Sequence, residues 1–104
     1  MPEPSRTVVV DTTPIIALAS IQQLGLLGDI YGEILIPPAV KLEVLGHGPR
    51  AGSGELPAFG WIREQELKDP FKTLLLSDLG EGEAEVLVLA EELKADLVII
   101  DEQH

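Results

Sequence analysis

The chain has 104 residues, 45% of them hydrophobic, and a formal net charge of −11 from seven Lys and Arg against 18 Asp and Glu. This size and apolar content predict a single domain over residues 1–104, and the acid excess argues against a chain that binds a phosphate backbone by its own charge. The lack of cysteine excludes thiolate metal sites, and the lack of a signal peptide or a bilayer-length apolar run predicts a cytoplasmic protein without a membrane segment.

Strands and helices alternate in the first half of the chain. The predicted elements, in order, are a strand over 7–10, a helix over 15–20, a helix over 21–27, a strand over 33–36 and a helix over 39–45. Proline and glycine mark their ends: Pro14 suits a first helical turn, Gly28 and Gly46 end helices, and Pro37-Pro38 begins one.

The second half begins with a segment rich in glycine, proline, serine and alanine. We expect a mobile surface loop over 46–60, in which His47 is an ordinary loop residue, and then a strand over 61–67. Asp78 and Glu81 resemble a capping box, which predicts a long helix ending at Lys94. Val98-Ile99-Ile100 reads as the last strand.

Two apolar strands each end at a carboxylate, Val8–Val10 at Asp11 and 98–100 at Asp101. Continuous apolar runs are typical of parallel strands covered on both faces. If the two strands are parallel neighbours, both carboxylates emerge at one edge of the sheet, where ligands of open α/β sheets bind. Repulsion between them would favour a bound cation. The alternative is that Asp11 only caps the next helix and Asp101 only starts a turn.

Two helical glutamates extend this set. Glu83 lies on the helix face opposite to Glu81, Glu85 and Glu92, and therefore faces the apolar side, where a carboxylate has to be paired, protonated or bound to a metal. The alternative is that Glu83 satisfies first-turn amides and the helix dipole. Glu43 lies beside apolar residues of its preceding turn, with a solvated rim position as its alternative.

Together, Asp11, Glu43, Glu83 and Asp101 are an all-oxygen set that suits Mg²⁺ or Mn²⁺ and not Zn²⁺. Metal-assisted phosphodiester hydrolysis uses this kind of site, because a cation activates the attacking water and neutralises the leaving oxygen. Thr13 is placed to hydrogen-bond a metal-bound water, with helix-start chemistry as the alternative.

Four segments, the second of them followed shortly by Glu43, resemble the PIN-domain family, in its DUF3368-like branch related to VapC toxins. They are Val8–Ala19, Tyr31–Val40, Leu79–Glu85 and Ala95–Glu102. The resemblance implies a three-layer α/β/α fold with a central parallel sheet. It also implies a metal-dependent ribonuclease in which Asp11, Glu43, Glu83 and Asp101 bind Mg²⁺ or Mn²⁺ and Thr13 supports the first acid.

The same resemblance implies a toxin of a toxin–antitoxin pair that acts on RNA, forms a homodimer and binds an antitoxin protein across its active-site groove. Family members continue past the last aspartate with a basic helix, a strand and a final helix, whereas this sequence stops at His104. We therefore expect a domain incomplete at its C-terminal end, with an open strand edge. Glu102 is an accessory ligand candidate.

Two other functions remain open. The first is a non-catalytic remnant that serves as a dimerising or partner-binding module, which the open edge and the acid excess favour. The second is a phosphatase of the haloacid-dehalogenase type, built on Asp11, Thr13 and Asp101-Glu102. That chemistry also requires a supporting lysine and a longer chain, so we rank it below the other two.

Overall fold

The computed structural model of this protein describes residues 6–46 and 60–100. Their elements are, in chain order, β1 (Val8–Val10), α1 (Thr12–Ser20), α2 (Gly25–Tyr31), β2 (Ile34–Ile36), α3 (Pro38–Gly46), β3 (Ile62–Glu64), a 3₁₀ helix (Pro70–Leu76), α4 (Glu81–Leu93) and β4 (Leu97–Ile99). The predicted strands and the helices after Pro14 and Pro37-Pro38 are confirmed. Residues 47–59 of the predicted loop, with His47 among them, lie outside the described residues.

The strands form a parallel sheet in the order β3-β2-β1-β4. Val9 lies opposite Leu35 on one side and Val98 on the other. The three residues of β1 are fully buried. Successive side chains of a strand point to opposite faces, so helices must cover both faces of the sheet at β1. This arrangement confirms the three-layer α/β/α fold with a central parallel sheet.

Apolar side chains from helices pack on these strands. Around β1, the buried cluster comprises Ile15, Ala19, Leu24, Leu27, Ile34, Ile36, Val40, Val44, Val86 and Leu89. Helix α3 packs against α1 and α4, and α4 in turn contacts β1 and β4. The first turn of α4 is thereby held next to the end of β1, which brings together residues far apart in the sequence.

Helix α2 is displaced from its predicted position. It spans Gly25–Tyr31 instead of 21–27, and it ends at Gly32, whose φ of +76° suits glycine. Gly28 lies inside this helix and not at its end: a Cβ there would meet ring atoms of Trp61 at 2.9 Å. Gly28 therefore permits close packing of an indole that is distant in the sequence, which a local end signal does not reveal.

The prediction that Asp78 caps α4 is wrong. Helix α4 begins at Glu81 with Gly80 as its N-cap, and no side chain of the cap residue contributes a hydrogen bond. Asp78 instead lies in a turn that leaves the 3₁₀ helix, in which Leu79 N donates to Leu76 O at 2.9 Å. Helix α4 therefore starts later in the chain than predicted, because the turn that follows the unpredicted 3₁₀ helix occupies the position of the expected cap.

No single helix within 6–46 and 60–100 is long and apolar enough to cross a membrane. Helices α1 and α2 reach that length and hydropathy only as a pair bent by 120°.

Candidate metal centre

Asp11 is held at the carboxyl end of β1 by two backbone hydrogen bonds. Its N–H donates to Ile99 O at 2.9 Å, which extends the pairing of β1 with β4, and its Oδ1 accepts from Thr12 N at 2.7 Å. Asp11 is thus the N-cap of α1, as the structural alternative expected. The residue is only 8% exposed, so one carboxylate oxygen is fixed in a buried setting.

The protonation of Asp11 responds to the other acids. Burial raises the pKa of the Asp11 carboxyl above its ordinary value of 3.8, the hydrogen bond from Thr12 N opposes that rise, and the negative charges of Glu43 and Glu83 add to it. Nearby like charges disfavour the ionised form of a carboxyl. The charges of Glu43 and Glu83 therefore act on Asp11.

Glu43 is fixed by the first turn of α4. Its Oε1 accepts a hydrogen bond from Gly82 N at 3.1 Å. This N–H belongs to the first turn of α4, where backbone donors lack a partner within the helix and a negative charge is favoured. Glu43 is exposed as a residue, as the rim alternative expected, but its carboxylate is anchored.

Gly82 makes the close approach of these acids possible. A Cβ at this position would lie 2.5 Å from Oε1 of Glu43 and 3.4 Å from Oδ1 of Asp11. Both oxygens consequently border the same small volume beside the Gly82 backbone. Carboxylates from the end of β1 and from α3 meet there because Gly82 has no side chain.

Glu83 follows Gly82 and is half-buried. The face of α4 on which it was predicted to lie is less apolar than expected: Val86 is fully buried, but Leu87 is 36% exposed. The first-turn amide of Gly82 is satisfied by Glu43 and not by Glu83. Glu83 interacts with Asp11 through its negative charge, which raises the pKa of Asp11.

Thr13 and Asp101 complete the predicted set. Thr13 is exposed in the first turn of α1, two residues after Asp11, while Thr12 between them is buried. Among the residues described, Oγ1 of Thr12 is buried without a hydrogen-bond partner. Asp101 and Glu102 lie outside the described residues. Val10, which precedes Asp11, pairs with Ile99 of β4, so the predicted adjacency of the two strands is confirmed.

The donor chemistry of this site fits a hard divalent cation. Asp11 and Glu43 supply carboxylate oxygens at one place, and the pKa of Asp11 is raised mainly by burial and further by the charges of Glu43 and Glu83. Within 6–46 and 60–100, however, no group of three or more His, Cys, Asp or Glu side chains is arranged to hold a metal ion. Mg²⁺ commonly binds to one or two carboxylates and keeps several waters, so its protein ligands can be fewer than three.

Two glutamates were missed as structural partners because the backbone N–H groups that donate to them lie on other elements. Glu85 Oε1 accepts from Ala39 N, in the first turn of α3, at 2.9 Å. Glu92 accepts from Lys68 N at 2.7 Å and from Asp69 N at 2.8 Å. The helical periodicity placed both on a shared stripe of α4, but it carried no information about the backbone amides that they face.

A cavity of about 290 Å³ lies beside the first turn of α4, between that turn and the 3₁₀ helix. It is lined by Thr73, Leu74, Leu76, Ser77, Leu79, Glu81, Ala84 and Glu85. Two of these lining residues, Glu81 and Glu85, lie on either side of Gly82 and Glu83 in α4.

A family model described as DUF3368, PIN domain, matches residues 7–104 of the chain. The matched range includes all four predicted carboxylates. Neither the curated proteins nor the solved structures contain a match.

Proposed function

This chain belongs to the PIN-domain family, whose members are generally nucleases that use divalent metal ions, and we propose that it is a metal-dependent endoribonuclease. In this proposal Asp11, Glu43, Glu83 and Asp101 hold Mg²⁺ or Mn²⁺, Thr13 assists at the first acid, and the substrate is an RNA phosphodiester. The observation that carries the proposal is the shared volume beside Gly82 that Asp11 and Glu43 border.

Electrostatics of the site support cation binding. Burial and the charges of Glu43 and Glu83 disfavour the ionised form of Asp11. A divalent cation at this place would reverse that effect, because it interacts favourably with each of the three carboxylates. When bound, the cation would supply a water of lowered pKa and neutralise charge on the departing oxygen.

The protein's own residues orient the site. Thr12 N fixes one oxygen of Asp11, and Gly82 N fixes one oxygen of Glu43, so each acid keeps a further oxygen for other interactions. Both donors are backbone amides in the first turns of helices. In this proposal Thr13, which is exposed and follows Asp11 by two residues, hydrogen-bonds a metal-bound water.

We further propose that the protein acts as a toxin, with an antitoxin protein and a second copy of the chain as partners. The net charge of −11 disfavours unaided capture of RNA and favours a basic partner.

The 3₁₀ helix exposes apolar side chains, Phe71 at 77%, Leu74 at 71% and Leu75 at 85%. Exposed apolar clusters of this kind are typical of interaction surfaces. Light scattering of wild type and Leu75→Asp tests self-association, and an unchanged monomer in both contradicts it.

The decisive experiment is cleavage of a mixed structured RNA in Mn²⁺ or Mg²⁺ by wild type, Asp11→Asn and Glu91→Gln. Glu91 is a solvent-exposed acid on α4 that pairs with Lys72 at 3.6 Å, so its variant controls for the loss of one negative charge. We expect cleavage by wild type and Glu91→Gln, and none by Asp11→Asn or in EDTA. Equal cleavage by Asp11→Asn would contradict the assignment.

The second candidate function is a non-catalytic binding module. It is favoured by the lack, within the described part of the chain, of a group of three side chains arranged for a metal. A folded wild-type protein that cuts no RNA and whose melting temperature does not respond to Mn²⁺ would support this function over the nuclease.

A further inference from the structure

We propose that Glu85 is a positioning residue of the metal centre, an inference that rests on the proposed function. The three atoms nearest to a Cβ built at Gly82 belong to Glu43 and Asp11 and not to Glu85. Its Oε1 accepts a hydrogen bond from Ala39 N at 2.9 Å, in a partly buried setting, across 46 residues of sequence. Ala39 is 7% exposed and lies in the first turn of α3, the helix that carries Glu43.

The bond from Ala39 has a counterpart that runs in the other direction. Glu85 of α4 accepts from the first turn of α3, while Glu43 of α3 accepts from Gly82 in the first turn of α4. Each helix thus supplies the carboxylate that satisfies an amide of the other. Two such bonds between the same pair of helices restrict both sliding and rotation of α3 against α4.

Local chemistry makes the acceptor at Ala39 necessary. The first amides of a helix have no acceptor within the helix. Val40 N and Lys41 N donate to Pro37 O at 3.1 and 3.2 Å, and Pro38 has no N–H, which leaves Ala39 N to be satisfied from outside α3. Because Ala39 is buried, loss of the Glu85 carboxylate leaves the Ala39 N–H without an acceptor unless α3 moves.

Movement of α3 changes the metal centre directly. Glu43 Oε1 lies 3.1 Å from Gly82 N. A Cβ built at Gly82 would lie 3.4 Å from Asp11 Oδ1. The separation of Glu43 from Asp11 is therefore set by how α3 sits against α4. Glu85 acts on the site through that helix pair, without contact with the reacting groups.

The test compares Glu85→Ala, Glu85→Gln and Glu91→Ala with wild type. Gln keeps an acceptor for Ala39 N, and Glu91→Ala removes a negative charge from the same helix at an exposed position. Three quantities are measured: the dissociation constant for Mn²⁺ by calorimetry, amide hydrogen exchange of Gly82 without metal, and RNA cleavage.

We expect Glu85→Ala to weaken Mn²⁺ binding on the order of tenfold, as for other residues that orient metal ligands, and to lower the protection of the Gly82 amide. Glu85→Gln should restore both values close to wild type, and Glu91→Ala should leave both unchanged. A purely stabilising role would lower the melting temperature of Glu85→Ala without changing Mn²⁺ affinity at temperatures where it is folded, and this result overturns the proposal.

Failure of the proposed function is separable from failure of this inference. If wild type neither binds Mn²⁺ nor cuts RNA, the nuclease assignment fails, while the Gly82 amide still reports the coupling of the two helices. Unchanged protection of Gly82 in Glu85→Ala overturns the positioning role whatever the activity of wild type. Loss of protection in Glu85→Ala, with rescue in Glu85→Gln, supports it.

Discussion

Glu43 and Gly82 are joined by a hydrogen bond of 3.1 Å, from the backbone N–H at the start of α4 to a carboxylate on α3, although 39 residues separate them. The bond anchors an acid of the candidate metal centre on a helix N-terminus, where negative charge is favoured. The same contact requires a glycine, because a Cβ at 82 would lie 2.5 Å from the accepting oxygen.

Gly82→Ala should separate function from stability. The atom that the new Cβ meets first is the end of the flexible Glu43 side chain, so we expect Glu43 to move away while the fold is kept. The gain in helix propensity, about 1 kcal/mol, offsets the lost hydrogen bond. Calorimetry should show weaker Mn²⁺ binding with a nearly unchanged free energy of unfolding. Gly80→Ala, where a Cβ meets nothing within 4 Å, is the control; equal Mn²⁺ affinity in both variants would contradict the role of Gly82.

Asp11→Asn should stabilise the metal-free protein at neutral pH. Burial and the charges of Glu43 and Glu83 raise the pKa of Asp11 above 3.8 in the folded state. The contribution of this group to stability is therefore fully present below pH 3.8 and is lost as the pH rises through the folded pKa. Asn keeps the N-cap without a charge. Urea denaturation from pH 3 to 7 in EDTA should show an advantage of Asp11→Asn that grows with pH.

In Mn²⁺ the order of the two proteins should reverse. Metal that binds only the folded state stabilises wild type by about 2.7 kcal/mol at a concentration of 100 times its dissociation constant, and Asp11→Asn should lack this gain. The measurement is the melting temperature with Mn²⁺ and after EDTA. An Asp11→Asn variant stabilised by Mn²⁺ as much as wild type would exclude Asp11 as a ligand.

Gly28→Ala should destabilise the fold, although alanine is the better helix former. A Cβ at 28 would be 2.9 Å from ring atoms of Trp61, and an indole packed in the structure cannot move aside as a flexible chain end can. We expect a loss of about 1–3 kcal/mol by overpacking. Gly25→Ala, on the same helix and free of contacts within 4 Å, should be neutral or slightly stabilising. Chemical denaturation followed by Trp61 fluorescence measures both, and equal effects would contradict the packing role of Gly28.

Glu92 should titrate below its ordinary pKa of 4.5. The hydrogen bond from Lys68 N lowers this pKa most, with further contributions from Asp69 N and from the charges of Lys72 and Lys68. Its stabilising contribution is thus present above pH 4.5 and is lost as the pH falls through the folded pKa. Carboxyl NMR of the folded protein measures the pKa directly. Glu92→Ala should also increase proteolysis near Lys68, and a pKa at or above 4.5 would contradict the two backbone bonds.

The elements that could be predicted are those whose signals are local. Val8–Val10 was readable as a buried strand because three successive apolar residues suit a strand covered on both faces. Pro37-Pro38 and Gly46 mark α3 closely, since proline at a helix start and glycine at its end act through their own backbones. Where a residue serves a distant partner, the local interpretation failed: Gly28 accommodates Trp61 and does not end α2.

The sequence by itself determined the parallel α/β architecture and the family, because the alternation of apolar runs and the order of the motifs are features of the chain itself. The tertiary structure alone decided that Glu43 and Asp11 meet beside Gly82, and that Glu85 caps α3. Those contacts join residues many positions apart through single backbone amides. Their existence depends on how α3 and α4 pack, and a helix period fixes which face a side chain is on but not which amide it faces.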